Sequence, residues 1–254
     1  MRWPAAGSGS VRRGAWRHAT QDKWPSSMTE PGLQAHSRDF AFERGTVSRF
    51  ILICSSDFAA ERYQALLAEG EAKVVAVDAG YSRMRAGGPK PYAIIGDFDS
   101  LGHLPYAPGA RIMRFPEEKD ESDLELALSY VEEQGADEVF VFGALGGRLD
   151  QTVATLQVAR GFADAFQRLA FVSPREVVHV LGPNRQLTVH GTAAKYISVL
   201  SAVDESRGVR IEGLKYDFEG TLTNDCSRGL SNEFMGTPAH VSVDDGTLFV
   251  IEQY

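Results

Sequence analysis

The sequence has little of what would mark a membrane, secreted or metal-scaffold protein. Its two cysteines, Cys54 and Cys226, are far apart and offer neither the ligand spacing of a zinc site nor a disulfide framework. No stretch approaches the roughly 18 apolar residues of a membrane span. The N-terminal region is positively charged but lacks the apolar core of a secretory signal. We therefore expect a cytoplasmic protein with no membrane partner.

Positive charge is also scarce, because the formal net charge is −8. Nucleic-acid surfaces depend on clustered Lys and Arg, so a nucleic-acid partner is not expected. The phosphate-binding pattern G-x-x-x-x-G-K-[ST] is missing, which excludes a P-loop nucleoside triphosphatase. An acidic protein that binds a polyphosphate needs a divalent cation to offset its own charge, so a nucleotide ligand here would bring Mg²⁺.

The composition and hydrophobic pattern of the chain change twice, near residues 46 and 173. Residues 1–46 are rich in Arg, Gly, Ser, Trp and Pro, show no sustained period and are expected to be disordered, with packing on the body through their tryptophans as the alternative. Residues 47–173 alternate short apolar runs with helical patterns, which predicts an α/β domain with a mainly parallel sheet. Residues 174–254 contain short strands alone, which predicts an all-β sandwich or barrel.

Three local predictions follow from turn and helix signals. Asp57 is expected to cap the helix after the first strand. Residues 149–166 are expected to form one long helix, and residues 244–246 (DDG) a hairpin turn between the last two strands.

Charged residues follow four of the predicted parallel strands. In open α/β sheets, ligands bind beyond the carboxyl ends of the strands, so these residues should share one crevice. Asp78 could bond a ribose hydroxyl or a metal-bound water, and Gly80 would let the backbone approach a ligand. Asp97 and Asp99 alternate along a segment expected to be extended, so both should project to one side and offer Mg²⁺ hard oxygen ligands.

Two further segments extend this crevice. Residues 119–123 (KDESD) open a helix, where Ser122 suits the N-cap and Asp123 suits the helix dipole. Residues 143–150 (GALGGRLD) combine a glycine-rich loop with Arg148 at a helix start. This combination predicts an anion-binding site. Each segment also has a purely structural explanation: residues 119–123 could be an ordinary helix cap, and residues 143–150 a flexible loop. In the β half, residues 227–234 (SRGLSNEF) could bind a small heterocycle by hydrogen bonds and stacking, or could be a loop with no binding function.

Taken together, these segments resemble the thiamine pyrophosphokinase family from about residue 51 to residue 252. The resemblance rests on five motifs in order: GDFDS at 96–100, KDESD at 119–123, GGRLDQ at 146–151, GLKY at 213–216 and SRGLSNEF at 227–234. It implies an α/β nucleotide domain followed by a β-sandwich, and a homodimer with active sites shared between subunits. It also implies transfer of the diphosphate of ATP to the hydroxyethyl group of thiamine, giving thiamine diphosphate and AMP.

The resemblance also implies roles for individual residues. The metal-binding acids of the family correspond to Asp97, Asp99 and Asp123. The nucleotide-contacting pair corresponds to Arg148 and Asp150.

Lys119 matches a phosphate-side position, and Ser231 and Asn232 match thiamine-contacting positions. Two departures occur: Ala79 follows Asp78 where the family usually has glycine, and Ser122 replaces a common threonine while keeping its hydroxyl. Neither removes a carboxylate.

Three alternatives stay open. A diphosphokinase acting on a hydroxymethylpterin would use the same α/β half, although the segment at residues 227–234 favours thiamine. A phosphatase with a D-x-D nucleophile loop would match Asp97 and Asp99, but its pair follows the first strand, whereas two strands precede it here. A non-catalytic binder of thiamine or nucleotide would have no need of the acids.

Overall fold

The structure is a computed structural model that describes residues 47–84, 88–102, 105–191 and 193–254. The predicted disorder of residues 1–46 therefore lies outside the described residues. Residues from 47 onward belong to one compact unit. Within the described ranges, every helix is too short or too polar to traverse a lipid bilayer.

Six parallel strands form the first part of a nine-stranded sheet, in the order β4-β3-β2-β1-β5-β6. Strands β1, β2, β3, β5 and β6 are short apolar runs buried on both faces, as expected for a parallel sheet covered by helices. The strands are β1 (Arg49–Ile53), β2 (Lys73–Val77), β3 (Ala93–Gly96), β4 (Arg111–Arg114), β5 (Glu138–Phe142) and β6 (Arg168–Val172). The helices are α1 (Ala60–Ala68), α2 (Asp123–Glu133) and α3 (Leu149–Gly161), with a 3₁₀ helix at Asp78–Arg83.

The rest of the chain is built from strands. They are β7 (Glu176–Leu181), β8 (Arg185–Val189), β9 (Tyr196–Ser201), β10 (Glu205–Glu212), β11 (Phe218–Thr223), β12 (Ala239–Val243) and β13 (Leu248–Gln253). Strands β7, β13 and β9 extend the first sheet with antiparallel pairing, while β11-β10-β12-β8 form a second, antiparallel sheet. A core that includes Val199 and Val250 of the first sheet and Ile211 and Val241 of the second joins the two. The predicted order, an α/β part followed by a β-sandwich, is confirmed.

The predicted boundary between residues 173 and 174 falls in the connection between β6 and β7. These two strands pair with each other, so the first sheet continues through the boundary without a break. As domain limits, 47–173 and 174–254 stay a prediction.

One row of cross-strand partners runs across the first sheet from β3 to β9, at a single edge. It passes through Ile94, Ala76, Ile53, Phe142, Val172, Val177, Glu252 and Ile197, and continues through a bridge to Asn232. The parallel strands end at this row, so the edge is the one at which α/β proteins bind ligands. Both the carboxylate loops and the segment at residues 227–234 therefore lie on the same edge, at opposite corners.

A buried polar pair lies on the face of the first sheet between the core under α1 and the core of the sandwich. His179 on β7 and Glu252 on β13 are joined by a 2.8 Å hydrogen bond between Nε2 and Oε1. Tyr254 donates a second 2.8 Å bond to Glu252, and the guanidinium of Arg62 on α1 lies 3.8 Å from the centre of the Tyr254 ring. Although burial opposes it, these hydrogen bonds hold the pKa of Glu252 below its ordinary value of 4.5.

Two local predictions are wrong for identifiable reasons. The N-cap of α1 is Ala59, and no side chain caps it, because two residues separate Asp57 from the helix start. The turn at residues 244–246 does not make a hairpin, since β12 belongs to the second sheet and β13 to the first. It carries the chain from one sheet to the other.

The third helix is also shorter than predicted. It ends at Gly161 rather than near residue 166, and a turn containing the backbone bond from Ala165 to Phe162 follows. Glycine is a poor helix former, and its position there is consistent with the early end.

Candidate active site

Three carboxylates meet at the carboxyl edge of the parallel strands. Asp78 follows β2, Asp97 follows β3 and Asp123 opens α2, and one oxygen from each lies within 4.8 Å of the other two. All three side chains are partly buried. The predicted convergence of the strand-end loops is thus present, and it places three negative charges in one small volume.

The backbone around Asp78 is strained to make this arrangement. Asp78 has a φ of 44°, a left-handed conformation that is uncommon for a residue with a side chain. Gly96 makes room for it, because a Cβ there would lie 2.9 Å from the Asp78 Cα. Within the described ranges, the buried Oδ1 of Asp78 has no hydrogen-bond partner. Such strain and such an oxygen are typical of functional sites.

Lys119 supplies positive charge to the same cluster. Its Nζ lies 2.9 Å from Oδ2 of Asp97, 3.1 Å from Oδ1 of Asp123 and 3.1 Å from the carbonyl of Pro116. Partial burial works against the charged forms of Lys119 and Asp97, but their hydrogen bonds prevail: the pKa of Lys119 is raised and that of Asp97 is lowered. Burial raises the pKa of Asp123, despite the bond from Lys119.

Asp99 does not join the three carboxylates, and the reason corrects a sequence-based expectation. Phe98 has a φ of 65° and a buried ring, so the segment is not extended at this point. Asp97 consequently points into the cluster, whereas Asp99 is exposed and accepts a 2.9 Å bond from the Ser100 hydroxyl. The role of Asp99 as a metal ligand stays a prediction.

Two other predicted residues have clear structural functions. The hydroxyl of Ser122 accepts a 3.2 Å bond from the Glu125 N–H, so the predicted N-cap is confirmed. Gly80 is buried, and a Cβ there would lie 1.9 Å from the carbonyl oxygen of Ile53. Packing against β1 therefore explains this glycine, while contact of Ser122 or Gly80 with a cofactor stays a prediction.

The end of β1 and the glycine-rich loop after β5 support each other. Ser56 donates its backbone N–H to Gly143 at 2.7 Å and its hydroxyl to Gly146 at 3.0 Å. At the end of this loop, Arg148 and Asp150 form a two-point ion pair of 3.1 and 2.5 Å, and both side chains are exposed. This pairing raises the pKa of Arg148 and lowers that of Asp150. The exposed guanidinium fork can bind phosphate in place of the carboxylate.

Cys54 directly follows β1, and the negative charge of the carboxylate cluster affects the pKa of its thiol. Burial, with the negative charges of Asp123 and Asp78, raises the pKa of its thiol to about 12. The thiol is therefore neutral at physiological pH and suited to packing rather than to nucleophilic chemistry.

The segment at residues 227–234, hereafter the acceptor segment, is docked beside β9. Asn232 is buried, and its side-chain amide bonds to both the N–H and the carbonyl of Tyr216, at 3.1 and 2.7 Å. Ser231 is exposed, has a φ of 57° and receives its backbone support from the Ser198 hydroxyl at 3.0 Å. Asn232 thus fixes the shape of the segment, and Ser231 presents a hydroxyl at its surface.

The three-carboxylate cluster fits a divalent metal ion. Carboxylate oxygens are the ligands that Mg²⁺ prefers, and the buried, unbonded Oδ1 of Asp78 is the kind of atom that a cation would satisfy. From the sequence, Asp78 was expected only to contact ribose or metal-bound water. The signal that it belongs with Asp97 was available, because both acids end neighbouring parallel strands.

Comparison with known proteins places both halves of the chain in one family. The profile described as thiamin pyrophosphokinase, catalytic domain, matches residues 64–170, and that described as thiamin pyrophosphokinase, vitamin B1 binding domain, matches residues 179–248. Thiamine pyrophosphokinase of Bacillus subtilis is 24% identical over 184 residues, which span 70% of this chain and 85% of that protein. Thiamin pyrophosphokinase 1 of Caenorhabditis elegans is 26% identical over 172 residues, 64% and 70% of the two chains.

Solved structures show the same fold. The crystal structure of the thiamin pyrophosphokinase of Geobacillus thermodenitrificans superposes with a TM-score of 0.67 at 26% identity, covering 81% of this chain and 97% of that one. The Bacillus subtilis enzyme gives a TM-score of 0.68 at 21% identity, covering 81% and 99%. The shared architecture therefore includes both the parallel sheet and the sandwich.

Proposed function

We propose that this chain, which belongs to the thiamine pyrophosphokinase family, transfers the diphosphate group of ATP to the hydroxyethyl group of thiamine. The products are thiamine diphosphate and AMP. The observation that carries the proposal is the pairing of a catalytic and a vitamin-binding profile in one chain, with the carboxylate cluster inside the catalytic part. It supports an enzyme over a non-catalytic binder, because a binder would not need three crowded acids.

Phosphoryl-type transfer depends on positioning and on electrostatic stabilisation. Asp78, Asp97 and Asp123 would hold Mg²⁺, which when bound neutralises charge on the phosphate oxygens. Lys119 is fixed between two of these carboxylates and would present its ammonium to the phosphates. Arg148 would exchange Asp150 for a phosphate oxygen pair, which its exposure permits.

Direct coordination by the acids has its own test. We expect Asp97→Asn and Asp123→Asn to lower turnover by at least ~10²-fold, the scale of a lost electrostatic contact in a transition state. Steady-state rates at saturating ATP, thiamine and Mg²⁺ measure this. Rates close to those of the unmodified enzyme would contradict the assignment.

We also propose that two copies of the chain share each active site, and the width of the first sheet supports this. Six strand-to-strand steps separate β2 from β9, and the bridge to Asn232 adds a seventh. At a spacing of about 4.8 Å per step, the path along the sheet from the carboxylates to the acceptor segment of one chain is about 34 Å. One small acceptor cannot touch both, whereas the acceptor segment of a second copy can approach the carboxylates.

Mixing two inactive variants tests the shared site. Asp97→Asn damages the carboxylates, and Ser231→Arg fills the acceptor segment with a bulky side chain. In a 1:1 mixture that exchanges subunits, half of the dimers are mixed and each has one intact site, so about a quarter of the normal activity should return. No recovery after verified subunit exchange would contradict shared sites.

The overall activity is tested by incubating the purified protein with ATP, Mg²⁺ and thiamine and quantifying the products. Equal amounts of AMP and thiamine diphosphate are expected. ADP with thiamine monophosphate would show a different transfer, and reaction with a hydroxymethylpterin but not thiamine would favour the pterin alternative. Release of inorganic phosphate from phosphomonoesters would favour the phosphatase.

We further propose that the enzyme works in the cytoplasm. Among the described residues, Cys54 and Cys226 are both free thiols, which is consistent with a reducing compartment. Cell fractionation with detection of the protein in the soluble fraction is the corresponding test.

A further inference from the structure

The ammonium group of Lys119 lies inside the carboxylate cluster with an oxygen atom for each of its donors. An ammonium has three N–H donors and no acceptor. Three oxygen atoms surround its Nζ: Oδ2 of Asp97 at 2.9 Å, Oδ1 of Asp123 at 3.1 Å and the Pro116 carbonyl at 3.1 Å. Only 12% of the side chain is exposed. In this position the ammonium has no donor left for a phosphate oxygen.

The two acids that Lys119 contacts are also two of the three that fit a metal ion. The ligand atoms of Asp78, Asp97 and Asp123 lie within 4.8 Å of one another. An ion held by Asp97 and Asp123 would share both carboxylates with the ammonium, and two cations that close together repel each other. Mg²⁺ also demands short bonds and a nearly ideal octahedron, which leaves little room for a second cation on the same oxygens.

Lys119 is the partner in this cluster whose position is easiest to change. It lies in the segment between β4 and α2, outside any helix or strand. Its ammonium is carried on a flexible stem of four carbons. Asp97 directly follows β3, and Asp123 is the first residue of α2, which Ser122 caps. Rotation of one side chain therefore suffices to separate the ammonium from the acids.

We propose that Lys119 couples nucleotide binding to metal binding, because its ammonium moves from Asp97 and Asp123 to the phosphates when Mg²⁺ binds these acids. The proposal rests on the proposed function, in which a polyphosphate lies at this cluster. One displacement serves both ligands, since it frees two carboxylates for the metal and N–H donors for the phosphates. Each ligand thus favours the binding of the other.

The affinity for the metal alone tests the competition. Lys119→Met keeps the long apolar stem and removes the charge, so calorimetric titration with MgCl₂ should show binding at least ~10-fold tighter than in the unmodified protein. Lys90→Met is the matched control, because Lys90 is exposed and precedes β3, at the opposite edge of the sheet. Its affinity for Mg²⁺ should change by less than about twofold, since distant exposed charges are screened. Equal, weaker or undetectable binding by Lys119→Met would overturn the proposal.

The movement of the ammonium can be followed in the unmodified protein, independently of how well the variant folds. N-hydroxysuccinimide acetate acetylates accessible amines, and peptide mass spectrometry gives the rate at Lys119 relative to Lys90. Mg²⁺ alone should raise this relative rate severalfold, because the ammonium leaves its three oxygen partners. Further addition of α,β-methylene-ATP, which cannot be cleaved at the α,β position, should lower the rate again. A rate that ignores Mg²⁺, or that the nucleotide analogue does not lower, would contradict the exchange.

Steady-state kinetics separate this exchange from a merely structural role of Lys119. Lys119→Met should lower kcat, because a phosphate contact is lost, and should also lower the Mg²⁺ concentration that gives the half-maximal rate. A lysine that only holds the acids in place would raise that concentration when removed. Tighter Mg²⁺ binding by the variant in a protein that forms no thiamine diphosphate would uphold the competition and refute the proposed function. Formation of thiamine diphosphate with unchanged metal affinity in the variant would refute the exchange alone.

Discussion

Asp78→Asn should make the protein more stable while it destroys metal binding. In the cluster, an oxygen of Asp78 lies within 4.8 Å of an oxygen of Asp97 and of Asp123. At that distance and an effective dielectric constant of 20, each pair of carboxylates repels by about 3.5 kcal/mol. Lys119 offsets part of this repulsion, because it already bonds to Asp97 and Asp123. Removing one charge should therefore leave a net gain of about 2 kcal/mol in the free energy of unfolding, below the full Coulomb figure.

The gain can be read from thermal unfolding in a chelating buffer. For a domain of this size, about 2 kcal/mol corresponds to a rise in Tm of about 4–8 °C. Added Mg²⁺ should reverse the order: at a hundredfold excess over Kd it stabilises the unmodified protein by about 2.7 kcal/mol, while the variant should respond little. Glu71→Gln is the control, since it removes one exposed charge just before the same strand, at its opposite end.

Two results would refute this reasoning. A lower Tm for Asp78→Asn in chelating buffer would mean that the unbonded carboxylate oxygen is not a source of strain. An equal Mg²⁺-induced rise in Tm for the variant and the unmodified protein would mean that Asp78 does not contribute to the metal site.

Further predictions concern stability. Gly80→Ala should cost about 3 kcal/mol, since its Cβ would meet the Ile53 carbonyl oxygen at 1.9 Å, and denaturant unfolding measures this. Glu252→Gln should cost about 1–3 kcal/mol at neutral pH by weakening the buried bond to His179. Because the folded-state pKa of Glu252 is lowered, the contribution of its ionised form to the free energy of unfolding is complete above about pH 4.5 and is lost as the pH falls further. The stability deficit of Glu252→Gln should therefore shrink in acid. A deficit that stays constant with pH would contradict this. Asn232→Ala should lower stability by about 1–3 kcal/mol and raise KM for thiamine more than KM for ATP; an unchanged KM for thiamine would separate the segment from the acceptor.

Much of the fold could be predicted because the apolar runs are strong signals. Buried parallel strands such as residues 73–77 (KVVAV) have a length and composition that few other structures share. The sheet that each late strand joins was not predictable in this way. The turn at residues 244–246 has good hairpin chemistry, yet β12 and β13 pair in different sheets, because long-range packing decides which ladder a short strand enters.

The candidate site shows the same limit at the scale of single residues. Convergence of the strand-end acids was predictable, since parallel strands deliver their loops to one edge. Which acid of the pair Asp97 and Asp99 faces inward was not, because it depends on the left-handed backbone at Phe98, an uncommon conformation for an aromatic residue. The position of Asp78 in the cluster likewise depends on the left-handed backbone conformation of Asp78 itself.

The unbroken pairing of β6 with β7 has a mechanical consequence. In many two-domain enzymes, a flexible linker lets the halves close over the substrate like a hinge. Here the halves are joined by ladders of hydrogen bonds, so bending between them would mean breaking β-sheet. Substrate entry and product release must therefore rely on loop movements at the carboxyl edge, while the two halves of the chain move together as one stiff plate.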